Sequence, residues 1–181
     1  MKLTARTYRK LYRVLDDVSP VPMDCGTICG KACCTGPEDL GIFLLPGEEE
    51  LQKQDPDWLT WSVEQSPEWD FLGLYPEEEV WFVRCKDPLQ CHRENRPIQC
   101  RTFPAEPHLR EDGSLVLIYN DLDLPYTCPL IAADTVLDED FLETTYRVWQ
   151  RLLADPRVYR RVERNSRART ANAEEPDVLF P

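Results

Sequence analysis

A chain of 181 residues with 33 acidic against 21 basic side chains, a net charge of −12 and eight cysteines is long enough to bury an apolar core without covalent staples. Affinity for a phosphate backbone comes chiefly from lysine and arginine, so the acidic balance excludes a general nucleic-acid binder. No window approaches the roughly 18 apolar residues of a membrane span, and the basic first residues lead into no signal-peptide core. The expectation is a cytoplasmic protein whose thiols serve as metal ligands or reactive groups rather than disulfides.

Tyr8, Leu11, Tyr12 and Leu15 recur at three- and four-residue spacing and predict an amphipathic helix over residues 4–18, closed by Ser19-Pro20-Val21-Pro22. Asp24 then stands where a helix cap would, and Gly36-Pro37 is a stop signal, so residues 24–36 read as a short helix. Gly41-Ile42-Phe43-Leu44-Leu45 is strand-like. Pro46-Gly47 followed by Glu48, Glu49 and Glu50 reads as a helix start whose acids are a solvated face. Residues 55–79 are punctuated by Asp55-Pro56, Ser66-Pro67 and Tyr75-Pro76 and are expected to be irregular, with Trp58, Trp61 and Trp69 as core residues.

Residues 80–85 and 114–119 are apolar and β-branched enough to predict strands, the second introduced by the turn signal Glu111-Asp112-Gly113. A proline- and cysteine-rich loop is expected between them. Phe141, Leu142, Thr145, Val148, Trp149 and Leu152 share one helical face over residues 138–153, and Asp155-Pro156 opens a further, arginine-rich helix expected to present its charges to solvent. The fold class is α+β: helices from both termini around a small antiparallel sheet, with metal-binding cysteine loops. Residues 1–170 form one domain and 171–181 a flexible tail.

Cys25, Cys29, Cys33 and Cys34 fall within ten residues, and Cys85, Cys91, Cys100 and Cys128 lie beside prolines or at strand ends, where loops carry ligands over a scaffold. All eight are candidate metal ligands. A straight helix through the first set would separate Cys25 from Cys33 by about 12 Å along its axis, whereas two sulfurs on one zinc lie only about 3.8 Å apart. Either Gly26 and Gly30 let the backbone depart from helix, or the first four thiols are divided between centres completed by the second four. The spacing matches neither zinc knuckles nor ferredoxin runs. That leaves the metal undecided by spacing. A cubane cluster, however, is larger than one zinc ion and tolerates wider ligand separation, so an iron–sulfur cluster, foremost 4Fe–4S, is the expected cofactor, with zinc close behind. Lys31, Arg84, Lys86, Arg96 and Arg101 could offset thiolate charge. His92, next to Cys91, is the histidine better placed to assist; His108 is a weaker candidate.

Cys25-x-x-x-Cys29-x-x-x-Cys33-Cys34 followed by Arg96-Pro97-x-x-Cys100-Arg101-x-Phe103-Pro104 resembles the YkgJ-like cysteine-cluster family, described as a zinc- or iron-chelating domain, which also includes flagellin lysine N-methylases. The resemblance spans residues 24–130. It implies metal binding by these cysteines and, as the alternative to a non-catalytic metal protein, a metal-dependent enzyme such as an S-adenosylmethionine-dependent protein lysine methyltransferase or a redox enzyme. None of the seven glycines forms the Gly-x-Gly of a nucleotide-binding loop. A protein remains the open partner class, with nucleic acid and membrane set aside.

Overall fold

Helix α1, Ala5–Asp16, buries the four-residue stripe read from the sequence, Tyr8, Leu11, Tyr12 and Leu15. The structure is a computed structural model and describes residues 1–36, 40–64, 78–87, 89, 91, 93–121, 124–133, 135–171 and 176–181. The apolar face of α1 is part of the main core of the chain. Apolar burial on this scale is what orders the chain, at about 25 cal/mol for each Å² removed from water.

Single-turn helices α2 (Gly26–Cys29) and α3 (Ala32–Thr35) follow, then β1 (Ile42–Phe43), a further turn α4 (Glu49–Gln52), and strands β2 (Leu59–Glu64) and β3 (Val80–Cys85). Strand β3 lies between β1 and β2, antiparallel to both, with Trp61 opposite Val83 and Leu59 opposite Cys85. A 3-10 turn at Arg93–Asn95 and helix α5 (Ile98–Thr102) lead into β4 (Ala105–Leu109), which pairs antiparallel with β5 (Leu115–Tyr119). The remaining elements are α6 (Pro129–Ala132), α7 (Glu139–Leu152), α8 (Pro156–Ala171) and β6 (Val178–Phe180).

The α+β class holds, but the single small sheet expected from the sequence is two three-stranded antiparallel sheets. Three strands account for the difference. Leu59-Thr60-Trp61-Ser62-Val63-Glu64 alternates with the period of a strand, and β2 forms inside the stretch read as irregular. Strand β4 carries Pro107 opposite Leu117, and as an edge strand it can hold a residue that has no amide to donate. The segment expected as a flexible tail places β6 on the other edge of β5 and sets the Phe180 ring 5.3 Å from that of Tyr146. Ser66-Pro67, Trp69 and Tyr75-Pro76 lie outside the described residues.

The main core joins α1, α7 and α8 to β4 and β5 through Leu15, Leu117, Phe141, Leu152 and Val158, all fully buried. A smaller core, Leu44, Leu59 and Val83, sits under the first sheet with Trp58, Trp61 and Trp81 packed at its margin. The arginine-rich helix departs from the solvated face expected of it. Arg161 is buried and its guanidinium donates to the carbonyls of Phe43 and Leu44 at 3.3 and 3.4 Å, tying α8 to the first sheet. Among the described residues no helix is long and apolar enough to cross a membrane.

Candidate metal centre

Residues 24–36 do not form one helix. Gly30 (φ 62°) and Lys31 (φ 60°) are both left-handed, and these two residues part α2 from α3. Glycine reaches that conformation freely, whereas an L-residue does so at a cost of about 1–2 kcal/mol. The Lys31 side chain provides a compensating contact: its Nζ donates to the Leu89 carbonyl at 2.5 Å, drawing the first cysteine stretch against the loop that carries Cys91. Asp24 is not itself the capping residue, although its carboxylate accepts the Gly26 amide at 3.3 Å.

The break in the helix divides the first four thiols. Cys33 and Cys34 stand with their sulfurs 3.7 Å apart, the separation two thiolates need on one zinc, about 3.8 Å. Cys100, from α5, is pushed up by burial and then by the charges of Cys34 and Cys91. Cys85, at the end of β3, is pushed up first by its hydrogen bond to Cys91, then by burial and the charge of Cys100. These five thiols therefore lie in one another's field. Cys25 and Cys29 belong instead with Cys128, the residue preceding α6: the Cys25 thiol is raised by burial and by Asp24, with Cys29 and Cys128 adding to the shift. Cys25 and Cys128 pack on the main core and Cys85 on the smaller one.

The eight candidates thus come from six places in the chain, and the field of Cys25 reaches Cys33 as well. All eight are free thiols. Among the described residues no three His, Cys, Asp or Glu side chains converge on one point closely enough to hold an ion as they stand. Rotation of a cysteine between staggered positions swings its sulfur by about 3 Å, the scale of adjustment that ligation would require. The donor set, soft thiols paired at zinc-like separation, suits zinc or iron–sulfur chemistry.

Arg96 is the cation among them. Its Nε donates to the Cys91 sulfur at 3.3 Å and its Nη2 stands 3.9 Å from Asp24. The Cys85 thiol and Arg96 together hold Cys91 down to about 5, against its burial. Cys34 is brought down to about 7, chiefly by the Cys33 thiol and further by Arg96 and Lys31. Two thiols are thus readily ionised at neutral pH, and each has a protonated neighbour.

The loop that presents these groups is held by a buried polar network that sequence reading missed. Glu48, expected on a solvated face, is fully buried. One of its oxygens accepts Tyr12 Oη at 2.6 Å and the Ile98 amide at 2.7 Å, and the other accepts the Leu45 amide at 3.1 Å. Gln52 donates to Tyr12 Oη and to the Asn95 carbonyl. Arg101 lies over the Tyr12 ring at 4.1 Å and donates to the Arg96 carbonyl and to Asp16, each at 2.5 Å. Arg101 therefore supports the backbone of Arg96 instead of reaching the sulfurs. Nothing distinguishes Glu48 from Glu49 and Glu50 in the sequence, whereas Arg101 carried a signal in its place directly after Cys100.

Tyr126 stands within the field of Cys33, Cys34, Cys100 and Cys128, which, after burial, raises its phenol well above the ordinary value. His92 lies outside the described residues. His108 is buried on β4, away from the cysteines, and its proton affinity is lowered by burial and by Arg169. Two cavities, one of about 380 Å³ along α8 at Arg160, Arg164 and Arg167 and one of about 120 Å³ at Arg169 and Tyr119, lie away from the thiols. No protein-family model, curated protein or solved structure matches the chain.

Proposed function

We propose that this is a metal-binding protein whose eight cysteines hold two thiolate centres, one drawing on Cys33, Cys34, Cys85, Cys91 and Cys100 and the other on Cys25, Cys29 and Cys128, with iron–sulfur or zinc as the metal. The observation that carries the reading is the gathering of five thiols from four separate places in the chain into one field near Arg96. Packing alone gives no reason to bring such groups together, since each thiolate raises the cost of ionising the next. A bound cation or cluster removes that repulsion and ionises the ligands at neutral pH. The same reading is what the YkgJ-like cysteine pattern implies, and free thiols in this number suit a reducing, cytoplasmic setting.

Anaerobic purification with metal and acid-labile sulfide analysis, alongside a visible absorption spectrum, tests it. Metal in stoichiometric amount is expected, with sulfide and visible charge-transfer absorption if the centres are iron–sulfur and neither if they are zinc. A folded protein that carries no metal, and whose eight reduced thiols take up neither zinc nor cobalt, would refute the proposal.

A further inference from the structure

At the margin of the smaller core, on the same face of the first sheet as Leu59 and Val83, two indoles form a corner. Trp61 on β2 and Trp81 on β3 are diagonal neighbours, their rings 5.8 Å apart and at 79° to each other. The Trp61 indole is fixed by its own hydrogen bond, Nε1 donating to the Pro56 carbonyl at 3.2 Å. Into this corner reaches Lys53, an exposed residue just beyond α4, whose Nζ sits 3.5 Å from the Trp81 ring centroid and 5.9 Å from that of Trp61. Asp55 and Asp57 are exposed on the same turn, yet among the described residues no carboxylate pairs with Lys53. In a chain of 33 acidic residues, an ammonium that takes an indole face in preference to a carboxylate marks a site suited to cations.

We propose that the Trp61–Trp81 corner is a binding site for a quaternary ammonium group, with Lys53 as an internal occupant that a better-fitting cation displaces. Indole faces attract cations through the ring quadrupole, and a methylated ammonium, more weakly hydrated than a primary one, gives up less water on reaching them. The Lys53 side chain is long and the residue is exposed, lying outside both strands, so it can leave without disturbing β2 or β3. Exposed Asp55 and Asp57 add an attraction for any incoming cation. The proposal draws on no thiol, although Cys85 lies on the same face of β3 and packs on the same small core.

The test titrates the full-length protein with tetramethylammonium, choline and a trimethyl-lysine dipeptide, following the indole Nε1–H resonances by NMR, with an uncharged tert-butyl alcohol as control. Saturable shifts confined to Trp61 and Trp81 are expected with the three ammonium probes and not with the alcohol. Lys53→Ala should lower the apparent Kd about tenfold, because an intramolecular competitor at high effective concentration has been removed; Lys53→Gln, which keeps much of the stem, guards against a folding artefact. The tighter of choline and the dipeptide then distinguishes a free small molecule from a modified protein side chain. Absence of saturable shifts in the wild type and in both Lys53 variants would overturn the proposal and leave the corner a purely structural contact.

Discussion

At the scale of single residues, Glu48 shows how a buried charge is kept. Three donors converge on its carboxylate, and removing it leaves the Tyr12 hydroxyl and the Ile98 and Leu45 amides unpaired in the interior. At roughly 1–3 kcal/mol for each unsatisfied group, Glu48→Ala is expected to lose about 3 kcal/mol or more in urea unfolding. Burial also raises the proton affinity of Glu48 in the folded state. The native chain then holds this proton at pH values where the unfolded chain has released it, so stability from this group grows as pH falls from neutral toward the ordinary glutamate range. Wild type measured against Glu48→Gln over that window should gain stability on acidification.

Cys91 gives the opposite sign. With its thiol held down to about 5 by the Cys85 hydrogen bond and then by Arg96, the metal-free protein exposes a thiolate well below the pH at which ordinary cysteines ionise. Alkylation near pH 6.5 followed by mass spectrometry should label Cys91 ahead of Cys25, Cys100 and Cys128. Arg96→Met is expected to slow that labelling several-fold, because losing the cation returns the thiol toward its protonated form.

Among the elements, the left-handed pair at Gly30 and Lys31 decides which cysteines meet. A Cβ at Gly30 would touch nothing within 4 Å, so Gly30→Ala tests backbone conformation alone. An expected loss of about 1 kcal/mol in thermal unfolding, with less metal retained per chain, follows from the cost of a left-handed L-residue. This break was half legible in the sequence: the 12 Å length argument required departure from helix or division of the thiols, and the structure shows the departure from helix. Helices α1 and α7 were legible because their burial stripes repeat every three or four residues, and β3 because Val80-Trp81-Phe82-Val83 is apolar throughout. Strand β4 was hidden by Pro104 and Pro107, whose acceptance depends on an edge position that only the tertiary fold reveals. Glu48 was unreadable for a related reason, since its partners Tyr12 and Ile98 lie 36 and 50 residues away.

For the whole molecule, the last strand closes an exposed edge. Strand β6 covers β5 and brings Phe180 against Tyr146 on α7. Unpaired strand edges template association with other chains. A chain ending at residue 175 is therefore expected to unfold at lower temperature and to self-associate with rising concentration, as followed by calorimetry and light scattering.

The network of Glu48, Tyr12, Gln52 and Arg101 has a consequence for how metal would be exchanged. Zinc-finger peptides lose their fold when stripped because the ion supplies most of their ordering. Here the chain around Cys100 is fastened to α1 by buried carboxylate and guanidinium contacts that need no ion. Native-state hydrogen exchange after chelation should leave the Ile98 and Arg101 amides protected while those of Lys31 and Cys34 open faster. If the proposed centres form, metal removal is then expected to leave the fold of this region in place.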